Sequence, residues 1–225
     1  MSEAEQPSAE QPSVPQPSVP QPSVPQPSAE QPSAEQPSAP QPTEQLSARQ
    51  PSVPQPNDTA DLRTGPEISS ALLAVLPLVG GWAGHGHGIK PESGDEFRFA
   101  QRLTFAHDGR PFLAYESRSW LLNPDGSVLR PAFRENGFLR MGGGQDELEL
   151  VLTTAAGIVE VFTGVAGDLR WELASAAVGF TPSAKQIAGE RRMYALAADQ
   201  LVYLQELALA PAEYRPHLSA SLSRD

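Results

Sequence analysis

The chain of 225 residues contains no cysteine. Disulfide bridges, zinc sites built on thiolates and cysteine nucleophiles are therefore excluded. The sequence also lacks an uninterrupted apolar run of the ~20 residues that a membrane-spanning helix needs. Its N-terminus has no apolar segment of the kind that directs export. Together these absences predict a cytoplasmic protein.

Aromatic residues are absent from the first 81 positions, and strongly apolar residues are few before Leu62. Residues 1–60 are built mainly from Gln-Pro-Ser units, and fifteen of the 24 prolines fall within residues 1–56. Such a segment buries too little apolar surface to offset the conformational entropy lost on ordering. We predict that residues 1–65 form a disordered, solvated tail with local polyproline-II character. A Pro-rich ligand for another protein is the alternative.

Positive charge is scarce along the whole chain. The formal net charge is −11, and residues 1–60, with seven acidic residues and one basic residue, account for six of these negative charges. The rest, which we predict to be one domain at residues 66–225, is therefore acidic as well. An acidic domain disfavours nucleic acid and anionic membranes as partners. We expect a small-molecule partner, and a homodimer is left open.

The domain begins with one helical segment and continues with strands. Residues 66–80 predict a short helix, because Pro66 suits a first turn, apolar residues recur at helical spacing and Pro77 ends it. Apolar and polar residues then alternate over 96–106 and 112–122, as they do in half-buried strands. Further alternating segments contain Leu148 to Leu152, Leu169 to Leu173, Leu201 to Leu207 and His217 to Ser223. Turn-forming or glycine-rich breaks occur at 107–111, 123–127, 142–144 and 164–167.

This pattern amounts to nine or ten short strands at hairpin spacing, which favours an antiparallel meander. A meander of that many strands curls and closes on itself. We therefore predict an all-β barrel whose interior has room for one small ligand. A two-sheet sandwich with a solid core is the alternative.

The stretch "LVGGWAGHGHGIKP" at residues 78–91 carries unusually little side chain. Four glycines lie an even number of residues from Trp82 and would share its face of a strand: Gly80, Gly84, Gly86 and Gly88. Glycine inside a strand marks a bend or the close approach of a ligand or another backbone. We expect this strand to pass tightly under its neighbours, or a flat ligand to lie against its glycine face. His85 and His87 point to the opposite face, where solvent exposure is favoured over a metal site without a third nearby ligand.

The same stretch carries a family pattern. Gly80–Gly86, "GGWAGHG", matches the G-x-W-x-G-x-G signature of the nitrobindin family. Five further segments fall in the family's order: "EFRFAQRLTFAHDGRPFLAYESRSW" (96–120), "ENGFLRM" (135–141), "TTAAGIVEVFTG" (153–164), "TPSAKQI" (181–187) and "RPHLSASLSR" (215–224). From about Ile68 onward the chain resembles an actinobacterial nitrobindin, several of which are described as peroxynitrite isomerases. The resemblance implies a ten-stranded antiparallel barrel similar to fatty-acid-binding proteins, with a short helix near its start.

The resemblance also implies a cofactor, ferric haem b, held by one histidine near the C-terminus. His217 occupies the matching position and is the expected axial ligand of the haem iron and the catalytic residue. Lys185 matches a lysine that contacts the haem, and its charge suits a propionate. Some relatives place a haem-contacting threonine where this chain has Glu92, whose carboxylate repels a propionate. We hypothesise that Lys90 compensates for that charge.

One conflict concerns the direction of the His217 side chain. His217 shares its parity with Ser219 and Ser221, opposite to Leu218 and Leu222. If the leucines face a cavity, strict alternation turns the imidazole outward. The conflict is softened if His217 lies at the barrel mouth, where alternation is least strict.

Two other groups of residues have simpler interpretations. His107 stands in a turn beside Asp108, where we expect a structural hydrogen bond. Arg191 and Arg192 are interpreted as charges on a strand surface. If neighbouring strands meet, these arginines supply positive potential near Lys185.

For activity, the resemblance implies the isomerisation of peroxynitrite to nitrate at ferric haem, with no net redox change and no reductase partner. Nitric oxide would compete for the same open coordination position. One alternative is a non-enzymatic haem or nitric oxide carrier or sensor with the same axial ligand. The other is a lipophilic-ligand carrier of the fatty-acid-binding type without haem.

Overall fold

Ten β-strands and one 3-10 helix make up the described structure, a computed structural model that covers residues 57–209 and 213–225. Residues 1–56 of the predicted tail (1–65) lie outside the described residues. The helix spans Ser70–Leu78. The strands are β1 (Gly80–Ile89), β2 (Glu96–Ala106), β3 (Leu113–Leu122), β4 (Val128–Met141), β5 (Glu147–Thr154), β6 (Ile158–Gly167), β7 (Arg170–Phe180), β8 (Gly189–Ala197), β9 (Gln200–Ala208) and β10 (Arg215–Arg224).

The strands form one closed antiparallel sheet. Each strand pairs with the next in the chain, and β1 pairs with β10, so that the order closes on itself. In this register Gly84 lies opposite Leu222 of β10 on one side and Gln101 of β2 on the other. The predicted ten-stranded barrel with an early helix is confirmed, and the sandwich alternative is wrong.

The helix covers one end of the barrel, and the side chains that it buries there are Leu72, Val75 and Leu78. Two indole groups fasten it to the strands. Trp82 Nε1 donates to the Leu78 carbonyl at 2.9 Å, and Trp171 Nε1 donates to the Ala74 carbonyl at 2.8 Å. Buried indoles with satisfied N–H groups combine large apolar burial with directional anchoring. This end is therefore closed, and any cavity opens at the other end.

The helix differs in detail from its prediction. It begins after Ser69, whose Oγ accepts from Ala71 N at 3.4 Å, and Pro77 lies inside it rather than ending it. The backbone bonds at its two ends run from Leu72 N to Ser69 O and from Val79 N to Leu76 O. Pro77 has no N–H to donate to the Ala74 carbonyl three residues earlier, and that carbonyl accepts from Trp171 Nε1 instead. Among the described residues, no helix has the length and apolarity needed to cross a membrane.

Trp82 of the signature also contacts the last strand. The Arg224 guanidinium lies over its indole at 4.2 Å, and the same group donates to the carbonyls of Val79 and Pro77 at 2.6 and 3.0 Å. A cation held over an indole and bonded to backbone carbonyls ties the helix, β1 and β10 together. In this structure the signature tryptophan stabilises the closed end of the barrel.

The glycines of β1 are explained by the close approach of atoms from the neighbouring strands β2 and β10. A Cβ placed on Gly84 would overlap the Ser221 carbonyl of β10, and one placed on Gly86 would overlap the Phe99 ring. The expected tight passage under neighbouring strands is therefore found. The alternative of a flat ligand lying directly on the glycine face is wrong at Gly86, because the Phe99 ring occupies that space.

One predicted strand boundary is also corrected. Gly164 lies within β6, opposite Leu173, so the expected break at 164–167 is wrong. The turn falls just afterwards, where Leu169 has a positive φ of 53° and is half exposed. Leu169 therefore does not share the inward alternation of Trp171 and Leu173, because it belongs to the turn before β7.

The described chain joins the barrel earlier than the predicted domain boundary at residue 66. Thr59 and His107 exchange two backbone hydrogen bonds of 2.8 Å. The His107 ring is buried, and neither of its nitrogens makes a hydrogen bond within the described ranges. The expected structural bond at His107 is thus made by its backbone and not by its imidazole.

Candidate functional site

A cavity of about 530 Å³ opens at the end of the barrel opposite the helix. Its size lies within the range of small-molecule and cofactor sites. The mouth is formed where β1 ends and β10 begins, together with the loops that follow β1 and β7. We call Lys90, Glu92, Lys185 and His217 the mouth residues, since all four line this cavity. Aromatic and aliphatic walls include Phe97, Phe99, Leu121 and Leu218.

A β-bulge brings His217 into the cavity. The register between β10 and β9 shifts between Pro216 and Leu218, so His217 is the extra residue of the bulged strand. A bulge redirects side chains that strict alternation would send to the other face. His217 and Leu218 therefore both line the cavity although they are adjacent in sequence. This resolves the parity conflict, which no pattern of alternation could settle.

The His217 imidazole is oriented by β1. Its Nδ1 lies 2.8 Å from the Ile89 carbonyl oxygen, which can only accept, so Nδ1 carries the proton and Nε2 keeps its lone pair. Burial lowers the pKa of His217, and this outweighs the Ile89 carbonyl, which raises it. The ring also meets Phe97 edge to face, with centroids 6.4 Å apart. The result is a neutral, fixed imidazole at neutral pH.

Lys185 stands across the mouth from Glu92 and forms an ion pair with it. Lys185 belongs to the loop between β7 and β8, whereas Glu92 belongs to the loop between β1 and β2. Lys90 pairs instead with Asp95 of its own loop, Nζ to Oδ2 at 3.2 Å. The predicted neighbourhood of Lys185, Lys90 and Glu92 is therefore found, but each lysine already has a carboxylate partner.

Deeper in the cavity lies a polar cluster that we call the inner chamber, formed by Tyr115, Glu135, Glu160, Glu190, Arg192, Tyr194 and Tyr203. Arg192 is 4% exposed and binds Glu135 through two bonds of 2.9 and 2.8 Å. Its Nε contacts Glu190, and its Nη1 donates to the Tyr115 hydroxyl at 3.1 Å. Such bidentate, charge-assisted bonds are the strongest that a buried arginine makes.

Three carboxyl groups in the inner chamber share one guanidinium. Burial raises the pKa of Glu135, but the Arg192 charge outweighs it and holds that pKa below its usual range. Burial raises the pKa of Glu190 to about 8 despite Arg192, and burial also raises the pKa of Glu160. Glu160 accepts from Ser175 Oγ at 2.8 Å. Burial thus favours the protonated forms of Glu190 and Glu160, because desolvation penalises ionised carboxylates without cations.

The inner chamber overturns one prediction from the sequence. Arg191 is exposed and lies near Glu206 at 3.9 Å, as expected for a surface charge. Arg192 is instead buried inside the barrel, so its interpretation as a surface charge is wrong. Glu190, Arg192 and Tyr194 alternate along the strand and share its inward face. The sequence hides this alternation because two of the three residues are charged, and charged residues usually indicate an exposed face.

The remaining residues singled out from the sequence lie away from the cavity. His85 and His87 are exposed on the outer face of β1. In the described part of the chain, no group of three or more histidine, aspartate or glutamate residues has the arrangement to hold a metal ion. The signature residues Gly80 and Trp82 belong to the closed end and are not part of the cavity lining.

The residues around His217 fit a haem group in chemical terms. A metal-ligating histidine usually donates its second ring N–H to a backbone carbonyl, which fixes the tautomer and leaves the other nitrogen for the metal. His217 has this arrangement, and its Nε2 makes no hydrogen bond to the described residues. Apolar walls and a lysine at the rim complete a site suited to a flat ligand with anionic groups. The assignment of His217 and Lys185 as haem contacts stays a prediction.

Comparisons with known proteins identify the family. The family model described as "THAP4-like, heme-binding beta-barrel domain" matches residues 71–224. A ferric nitrobindin-like protein of Nocardia farcinica is 45% identical over 171 residues, covering 74% of this chain and 72% of that protein. Peroxynitrite isomerase 2 of Rhodococcus jostii is 42% identical over 176 residues, covering 74% and 82%.

A solved structure agrees with these sequence matches. The crystal structure of Rv2717c from M. tuberculosis is 32% identical to this chain, with a TM-score of 0.62, and the match covers 71% of this chain and 99% of that one. The match in sequence extends over most of the barrel, and the match in structure extends over nearly all of the solved chain. The chain belongs to the THAP4-like haem-binding β-barrel family, that is, to the nitrobindins.

Proposed function

We propose that this protein binds ferric haem b through His217 and isomerises peroxynitrite to nitrate. The observation that carries the proposal is the bulge in β10, which turns a neutral, backbone-oriented imidazole into the cavity beside its apolar walls. The haem-binding family and relatives named peroxynitrite isomerase at 41–42% identity support the cofactor and the reaction.

The chain's own residues would bind and orient the haem group. They supply no acid or base that the reaction needs. The Ile89 carbonyl holds the His217 proton on Nδ1, so that Nε2 keeps the lone pair with which it would hold the haem iron. Ferric haem, when bound, supplies an open Lewis-acidic coordination position at which peroxynitrite rearranges to nitrate without net redox change. Phe97, Phe99 and Leu218 would give the group an apolar wall near His217.

A proton retained on Glu190 reduces the repulsion between the inner chamber and an anionic substrate. If all three carboxylates were ionised, the chamber would carry two more negative than positive charges and would repel peroxynitrite. A proton on Glu190, whose pKa is raised to about 8, removes one of these charges, and burial raises the pKa of Glu160 as well. Nitric oxide, which is neutral, is expected to bind at the same coordination position in competition with peroxynitrite.

A haem carrier or nitric oxide sensor would use the same ligand with negligible turnover. Stopped-flow decay of peroxynitrite, measured with and without the haem-loaded protein, separates it from an isomerase. A lipophilic-ligand carrier without haem is less well supported, because the buried cation that would hold a fatty carboxylate, Arg192, is already bound bidentately by Glu135. The visible spectrum of the purified protein distinguishes this class.

The test is the substitution His217→Ala, with His85→Ala as the matched control because His85 is exposed on the outer face of β1. We expect the first variant to lose the Soret band in a haem titration and to lose nitrate formation from peroxynitrite. The control should keep both. An unchanged Soret band in His217→Ala would refute the ligand assignment. Full haem binding without acceleration of nitrate formation in the wild type would leave the carrier as the function.

A further inference from the structure

The ion pair between Glu92 and Lys185 joins two loops across the mouth of the cavity. Both side chains remain about half exposed, at 50% and 59%. Both are cavity-lining residues, so an anionic group that approaches Lys185 meets the Glu92 carboxylate already in place. Lys90 is paired as well, with Asp95 of its own loop.

The loop that carries Glu92 is held in position from both ends. Lys90 N donates to the Asp95 carbonyl and Gly94 N donates to the Lys90 carbonyl, both at 2.9 Å. Just before this loop, the Ile89 carbonyl contacts His217. The structure thus presents Glu92 to Lys185 from a short, internally bonded loop anchored beside the imidazole.

The inner chamber, at the other end of the cavity, is a poor alternative site for a ligand carboxylate. Three carboxyl groups and a single guanidinium, itself bound to Glu135, occupy the inner chamber. Because Arg192 is already bound by Glu135 and Glu190, a ligand's carboxylates find no free cation there and are favoured at the mouth. Outside the inner chamber, the cations that line the cavity are Lys90, Arg130 and Lys185. Of these, Lys185 is the one that Glu92 occupies.

We propose that Glu92 is an internal competitor that occupies the anion-binding position of Lys185 and that a ligand carboxylate must displace. This inference rests on the proposed haem function only for the identity of the natural ligand. Any flat dicarboxylate that enters the mouth would meet the same exchange. Glu92 therefore sets the affinity and selectivity of the cavity for carboxylate-bearing ligands.

The test uses the full chain without haem and protoporphyrin IX as the probe, because this dicarboxylate carries no iron and does not depend on ligation by His217. Binding is followed by the change in porphyrin fluorescence. We expect Glu92→Gln to tighten binding about 3- to 10-fold and Lys185→Gln to weaken it by a similar factor, as for exchange of a half-exposed ion pair. Glu149→Gln is the control, since it removes one negative charge that is paired with Arg140 on the outer surface. It should leave the affinity unchanged.

The double variant decides between competition and general repulsion. If Glu92 acts by occupying Lys185, the gain from Glu92→Gln disappears once Lys185→Gln is also present. A gain that persists in the double variant overturns the proposal, and so does the absence of any gain in the single variant. Neither result bears on the iron ligand, which is tested separately by the haem titration of His217→Ala.

Discussion

The mouth and the inner chamber belong to one cavity, but their charged groups differ in exposure to water and in the balance of positive and negative charge. At the mouth, Lys185 and Glu92 form a pair of opposite charges that stays half exposed to water. In the inner chamber, Glu190 and Arg192 are 3% and 4% exposed, and the carboxyl groups there outnumber the cation. Exposed pairs contribute little to stability and exchange partners readily, whereas buried charges must be paired or protonated. The mouth is therefore suited to ligand exchange, and the chamber to a fixed internal structure.

The sharpest test of this contrast is removal of the buried guanidinium. Arg192→Leu leaves Glu135 and Glu190 without their cation, and we expect it to lower the free energy of unfolding by about 3–5 kcal/mol. Arg191→Leu, its exposed neighbour, should cost less than about 1 kcal/mol. Urea denaturation of the two variants gives the comparison. Equal losses would show that the inner chamber is not a buried ionic cluster.

A second test uses the raised pKa of Glu190. Its native pKa of about 8 lies above the ordinary value of 4.5, so the folded protein binds more protons than the unfolded chain between these values. Stability from this group is therefore lost as pH rises from about 4.5 to about 8. Glu190→Gln cannot ionise, and we expect it to gain on the order of 2 kcal/mol relative to the wild type between pH 6 and pH 9. Thermal unfolding across this range measures the difference in stability between Glu190→Gln and the wild type. The control Glu149→Gln should show no pH-dependent difference.

The mouth has its own pH dependence, with the opposite sign. The pKa of His217 is lowered below its ordinary value of 6.5, so the neutral imidazole is favoured in the fold and its stabilising effect is lost on acidification. Under the proposed ligation, haem affinity should stay level from pH 8 to about 6.5. Below the lowered pKa it should fall up to about tenfold per pH unit, because protons compete with iron for Nε2. A haem titration that weakens already at pH 7 contradicts this expectation.

The smallest expected effect concerns the stability of the mouth itself. Glu92→Gln and Lys185→Gln should each change the free energy of unfolding by less than about 0.5 kcal/mol, since a half-exposed pair contributes little. Urea denaturation of both variants alongside Arg192→Leu checks this. A loss above about 1 kcal/mol would mean that the loop between β1 and β2 is structurally coupled to the barrel through this pair.

Much of the fold could be predicted because it is encoded locally. Alternation around Phe97 to Phe105, turn residues such as those at 123–127 and the glycines of β1 identify strands and close approaches without any knowledge of neighbours. The errors fell where local signals conflict. Leu169 looked like a strand residue but adopts a positive φ in a turn, and Pro77 looked like a helix end but lies inside a 3-10 helix.

The candidate site could be predicted only in part. His217 and Lys185 were found through resemblance to a family, and their place at the mouth agrees with that expectation. Arg192 was missed, because a charged residue in a strand is normally read as exposed. Glu135, Glu160 and Glu190 come from three different strands, and nothing in the spacing of the sequence brings them to one guanidinium.

The amino-acid sequence by itself determined the meander of strands and the close packing around β1, because periodicity and side-chain volume act between residues near in the chain. The kind of ligand was implied only by the resemblance to a family. Tertiary structure alone decided the direction of the His217 ring, the partner of Lys185 and the protonation of Glu190. Each of these depends on strands that are far apart in sequence. A one-residue bulge changes which face a side chain occupies, and barrel closure determines how much water reaches each charge.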